Sequence, residues 1–455
     1  MALSKKGLIV NTIIAIVIAA IFVLMASSIL FNILGNIPRV SGAIVNPTKV
    51  ICFGGGSDHT VHCLDKSTGN QVFQSGSATN WQDENAVTTP ALTKDAIYVG
   101  IGGRVCASKI DGMAKWDCKL LQTSGSNPRI AGSIAIGRDG LLACMSVRNY
   151  YTDSGKTKTF PIYCLVTESG NVFATVNTNN LHSTAPTFNR NDLYFGAGTG
   201  SICNYKVEND GLVLSGCNVI ANDEIPTNIA VNESGDLACF GGGGDHRMHC
   251  VKTSDRSEEF AVHCNAWKGE GSDGCKAMST PTLVNGSAYF GIGGRVCKYP
   301  LTTKGTQSSL PSNSDTNWCT SKYSHTIETG IAVNESMQLA CFGGGEAHTV
   351  YCVNTTTGAE LFKIRSGAWG SAKAATTPLI ENSTLYIALG DHVCAFKLPI
   401  TGDKYKDFEK RYNKQYDADA DQDILWPECA EFEHDIATDF ATYTGEFDEN
   451  EASSV

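Results

Sequence analysis

A pair of alternating motifs restricts this chain more than any other feature. The first reads Cys52-Phe-Gly-Gly-Gly-Ser-Asp-His59 with Cys63. It returns at Cys239–His246 with Cys250 and at Cys341–His348 with Cys352, and a degenerate copy runs from Cys144 to Cys164. The second reads Thr88-Thr89-Pro90 and then Ile97-Tyr98-Val99-Gly100-Ile-Gly-Gly-Arg104-Val-Cys106, with copies centred on Tyr194, Tyr289 and Tyr386. The anchors Cys52, Tyr98, Cys144, Tyr194, Cys239, Tyr289, Cys341 and Tyr386 are 46, 46, 50, 45, 50, 52 and 45 residues apart. A period of this length, filled with short β-runs and glycine turns, is the pattern of propeller blades. In the second unit, strand a falls on residues 90–92, b on 96–100, c on 105–110 and d on 114–120, and Gly102-Gly103 suits a tight b–c hairpin where φ must be positive. The predicted fold is all-β: an eight-bladed β-propeller of four-stranded blades, in four double repeats, over residues 42–432. Radial closure removes long exposed edges.

Leu64-Asp65-Lys66-Ser67-Thr68-Gly69-Asn70-Gln71-Val72-Phe73 resembles the Asp-x-x-Thr-Gly-x-x-x-Trp repeat of the quinoprotein-like (PQQ-repeat) propellers, with Phe for Trp, and Asn354–Phe362 is a looser copy. The resemblance spans about residues 41–400 and implies the eight-bladed fold. It implies little about function, because this architecture hosts many activities. Quinoprotein dehydrogenases use an adjacent Cys-Cys pair and a Ca²⁺-linked carboxylate beside the quinone. This sequence has no adjacent cysteines, so PQQ is not expected. Hydrolase, zinc-protease and phosphate-loop motifs are also missing from it. The leading functional reading is a binding or adhesion module for a glycan or protein ligand. The alternatives are a scaffold for assembling membrane or pilus proteins, and a quinoprotein-like oxidoreductase.

All 18 cysteines pair with a sequence neighbour. One type of blade places a cysteine on b and one on c, giving Cys52/Cys63, Cys144/Cys164, Cys239/Cys250 and Cys341/Cys352. The other uses c and d, giving Cys106/Cys118, Cys203/Cys217 and Cys297/Cys319. Cys264/Cys275 brackets an insertion, and Cys394 is left with Cys429. Opposed positions on antiparallel strands suit a disulfide, which implies an oxidising compartment. Metal ligation would need four thiolates to converge, and histidines three apart (His59 and His62, His246 and His249) point to opposite faces of an extended strand.

Lys5 and Lys6 precede an apolar run from Leu8 to Leu34, long enough to span a bilayer with tilt. The expectation is a cytoplasmic stub and transmembrane helix over 1–34, a linker over 35–41, and the propeller on the extracytoplasmic side. Ser4-Lys5-Lys6-Gly7 also resembles an archaeal type IV pilin-like signal, which implies cleavage between Gly7 and Leu8. Thr12 stands where that family has Glu.

The b–c and d–a loops of a propeller share one face. Here they carry His59, Arg104, His246, Arg295, His348 and His392, together with Trp81, Trp267 and Trp369. Aromatic platforms beside polar groups suit sugars or peptides, so these nine are the candidate ligand-binding residues. Trp packed between blades, with His decorating turns, is the plainer alternative.

Residues 403–455 carry 16 acidic and 5 basic residues, which accounts for the whole net charge of −11. No basic patch appears, so nucleic acid is not an expected partner. Asp417, Asp419, Asp421, Asp423 and Glu428 occupy positions 1, 3, 5, 7 and 12 of a loop that resembles an EF-hand Ca²⁺ site, although Gln422 replaces the usual Gly and Pro427 follows. This loop is expected in an insertion over 402–425 of the last blade, with Trp426–Phe432 as its outermost strand and 433–455 as an acidic disordered tail.

Overall fold

A computed structural model describes residues 47–442 except for stretches of connecting chain, the longest being 76–87, 149–160, 265–278, 366–375 and 399–428. Eight antiparallel sheets follow one another along the sequence. Seven have the expected meander of four strands, a to d. In blade two these are Ala91–Leu92, Ala96–Ile101, Arg104–Lys109 and Ala114–Leu120, close to the spans predicted. The b and c strands are buried on both faces, because each blade is covered by its two neighbours; Ala96–Ile101 is buried at every position.

Blade one has only three strands of its own, Val50–Gly54, Val61–Asp65 and Gln71–Ser75. Its innermost position is taken by the C-terminal segment. Ala441 bridges Cys52 and Ile436 bridges Gly55, both antiparallel. The Cys52 N–H donates to the Ala441 carbonyl at 2.9 Å, and the Ala441 N–H returns the bond at 2.7 Å. Phe432 and Phe440 meet the Phe53 ring edge-on at 5.1 and 5.9 Å. The expectation of a disordered tail from residue 433 is therefore corrected over 436–441. Ile436 and Ala441 are buried despite the acidic composition around them, because pairing satisfies their backbone and the apolar side chains complete the joint between blades eight and one. Ala430–Glu431 is the outermost strand of blade eight, paired to His392 and Val393. The connection leaving strand c of blade six adds Gly305–Gln307 in parallel to the edge of blade five.

Eight disulfides join the predicted neighbours, Cys52–Cys63, Cys106–Cys118, Cys144–Cys164, Cys203–Cys217, Cys239–Cys250, Cys297–Cys319, Cys341–Cys352 and Cys394–Cys429. For the ninth expected pair, Cys264 is disulfide-bonded, whereas Cys275, its expected partner across the insertion, lies outside the described residues. In six of the eight, the bonded cysteines face each other in register. Bonds of this number indicate an oxidising environment. Among the described residues no helix is long and apolar enough to cross a membrane; the apolar run Leu8–Leu34 and the pilin-like start lie outside them.

The turn after Leu64 shows what its Asp-x-x-Thr-Gly motif does. Asp65 Oδ1 accepts the N–H groups of Ser67 and Thr68 at 2.9 and 3.0 Å, and Asn354 does the same for Thr356 and Thr357. Adjacent blades dock on the equivalent turns. The Trp116 indole N–H donates to the Thr167 carbonyl at 2.9 Å, and its ring lies where a Cβ on Gly170 would sit, 2.7 Å away. Trp318 repeats this over Thr355 and Gly358.

Candidate binding face

Each strand a begins at the end of the ring where the d–a connections arrive. Strand b returns to that end, so the b–c turns lie there too, and the channel mouth and the turns share one face. Just before strand a, a buried hydroxyl side chain clamps strand b of its own blade. Thr88 Oγ1 accepts the Gly100 N–H at 2.8 Å, and Thr184, Thr227 and Thr329 do the same for Gly196, Gly241 and Gly343 at 2.8, 2.8 and 2.9 Å. Thr438 of the closing segment does so for Gly54 at 2.6 Å. Glycine is needed opposite: a Cβ on Gly100 would stand 2.7 Å from Thr88 Cγ2. In blade eight the corresponding residue is Ala388, and the buried Thr376 hydroxyl has no hydrogen-bond partner among the described residues.

The residues that follow these hydroxyls line a cavity of about 640 Å³ at the channel mouth, including Thr89, Ser133, Asn228, Thr280, Thr377 and Asp439. They link blade to blade. The Asn228 N–H donates to Thr280 Oγ1 at 3.2 Å, the Gly330 N–H to Thr377 Oγ1 at 2.8 Å, and the Thr377 N–H to Asp439 Oδ1 at 2.6 Å. Among the described residues, Asp439 is the one charged side chain in this wall. Asp439 is exposed at the mouth, with one carboxylate oxygen taken by the Thr377 N–H. The sequence did carry a signal for this ring, the Thr-Thr-Pro step that opens the second repeat motif.

The sequence-predicted residues take other places. Arg104, Arg295 and His392 are equivalent: each opens strand c after a two-residue b–c turn, opposite Ile101, Ile292 and Leu389. They stand two strands out from the channel wall, roughly 10 Å at ordinary strand spacing. Arg295 Nη1 donates to the Thr320 carbonyl at 2.8 Å, and His392 Nδ1 lies 2.5 Å from Asp391 Oδ1. His246 sits in the blade-five turn with a φ of 62°. His59, His348, Trp81, Trp267 and Trp369 lie outside the described residues, as do Asp417, Asp419, Asp421, Asp423 and Glu428. No group of metal-ligating side chains occurs among the described residues.

The buried His249 beneath the blade-five turn was not singled out by the sequence reading. Its Nε2 lies 2.6 Å from Asp245 Oδ2 and its Nδ1 2.7 Å from Glu258 Oε1, and the ring stacks on Phe240. Burial alone would lower its pKa, but the two carboxylates outweigh that and raise it. In blade one, His62 holds the same place over Phe53, with Thr60 and Gln71 as its partners.

No family model matches this sequence, and no curated protein matches it. Solved structures do. The dihydro-heme d1 dehydrogenase NirN, solved in complex with DHE, has a TM-score of 0.57 at 10% identity, covering 79% of this chain and 73% of its own. The quinohemoprotein alcohol dehydrogenase from Comamonas testosteroni has a TM-score of 0.55 at 11% identity, covering 78% and 71%. The computationally designed protein Ika8 has a TM-score of 0.53 at 14% identity, covering 76% and 94%. The expected likeness to quinoprotein-type propellers is thus present, and at these identities it is a likeness of fold. Among the described residues, the wall of the channel mouth carries hydroxyls and the Asp439 carboxylate and no lysine or arginine.

Proposed function

We propose that this protein is an extracytoplasmic binding module, held at a membrane by residues 1–34, which presents the b–c face of its propeller to a glycan or protein ligand. The observation that carries the reading is the convergence, at one end of a disulfide-braced ring, of a polar cavity and the turns bearing Arg104, His246, Arg295 and His392. Such a face has shape and hydrogen-bonding groups for recognition but no assembled nucleophile, base and oxyanion site among its described residues. The indoles of Trp81, Trp267 and Trp369 belong to the d–a connections of the same face and would serve as stacking platforms. A glycan and peptide array probed with the full chain tests this. Trp81→Ala with Trp369→Ala should abolish the array signal while the melting temperature stays within a few degrees. A large fall in melting temperature with no specific change in binding would instead assign these indoles to blade packing.

A further inference from the structure

We propose that the Cys203–Cys217 bridge of blade four is the point at which this protein exchanges with external thiols, and that the attack falls on Cys217. Exchange needs a thiolate to reach one sulfur of the bond it breaks, in line with that bond, so what stands beyond each end of a bridge decides its reactivity. In the b–c bridges both ends are blocked. Cys144 and Cys164 are flanked by Ala135 on strand a and Ala174 on strand d, and Cys341 and Cys352 by Ala332 and Phe362. The cysteines of all four such bridges are fully buried. A c–d bridge differs, because strand b lies beyond one sulfur and the open edge of the blade beyond the other. In blade four that edge is Leu212–Val219, which pairs only on its inner side among the described residues. Cys203 is buried in the joint with blade three, beside Phe195 of strand b. Cys217 faces Cys203 in register from the edge strand and is exposed. The other c–d bridges are better covered: Cys118 and Cys429 are half-buried and Cys319 is buried. Cys217 is thus the one exposed cysteine among the described residues. A low-molecular-weight thiolate attacks Cys217 Sγ and forms a new S–S bond there. The Cys203–Cys217 bond breaks, and its electron pair leaves on Cys203, which takes a proton from water. The incoming sulfur is oxidised as Cys203 is reduced, so no further oxidant is consumed. A second thiol then frees Cys217 and leaves as part of a small disulfide. The edge strand keeps its place through this step, because its backbone pairs with Ser201–Val207 along its length.

Timed reduction of the full chain by dithiothreitol without denaturant, followed by alkylation in denaturant and peptide mapping, tests the assignment. Cys203 and Cys217 should become alkylated together, at least about tenfold faster than any other described pair, because buried bridges must wait for local opening. Circular dichroism should stay native through this first phase. In a parallel reaction with reduced glutathione, any mixed disulfide within the pair should sit on Cys217. Cys203→Ser with Cys217→Ser should lose the fast phase and keep the slow ones. Another described bridge opening as fast, all bridges opening together as on global unfolding, or glutathione bonded to Cys203 would overturn the proposal. A fast phase that persists in the double variant would do the same.

Discussion

At the residue scale, His249 ties stability to pH. The His249 pKa is raised in the folded protein, so its imidazolium stabilises fully below the unfolded value of about 6.5, and this contribution is lost as pH rises through the folded value. His249→Gln should flatten the fall in melting temperature above about pH 6.5; an unchanged pH profile would show that the ring is not charged. Asp245→Asn should cost about 3 kcal/mol at pH 6, because it leaves a buried charge half-compensated. Gly170 tests blade docking: with φ at 66° and the Trp116 ring 2.7 Å from an added Cβ, Gly170→Ala should cost at least about 1 kcal/mol, read by urea denaturation.

At the element scale, the disulfide pairing was legible because each blade carries one pair on adjacent strands, and antiparallel register then sets them opposite. The hydroxyl clamp was not legible. A Thr before a strand looks the same whether it accepts from Gly100 or merely turns the chain, and only the ring closure brings Thr377 beside Asp439. Nor could local pattern reveal Gly305–Gln307 joining a different blade. Deleting one bridge, Cys144→Ser with Cys164→Ser, opens a loop of sequence separation 20 and should cost about 3 kcal/mol by denaturant melting. The acidic loop Asp417–Glu428 remains a proposed Ca²⁺ site. With a Kd of ~10⁻³ M, 10 mM Ca²⁺ should stabilise the protein by about 1.4 kcal/mol. Identical melting curves for wild type and Asp417→Ala/Glu428→Gln, with and without Ca²⁺, would dismiss it.

At the scale of the whole molecule, the eight-fold repeat fixed the number of blades but hid how the ring closes. The repeat starts at strand b of blade one, so strand a had to come from elsewhere, and the acidic composition after residue 433 masked the apolar residues Ile436 and Phe440 that help supply the joint. The closing segment also delivers Thr438 to its clamp and Asp439 to the channel mouth, so the proposed binding face depends on it. Amide hydrogen exchange on the full chain, followed at Cys52 and Ala441, tests this closure most directly. Their mutual hydrogen bonds predict protection equal to that of Val99 and Cys106 inside blade two. Exchange of the Ala441 amide at the rate of an unstructured peptide would contradict the closed ring.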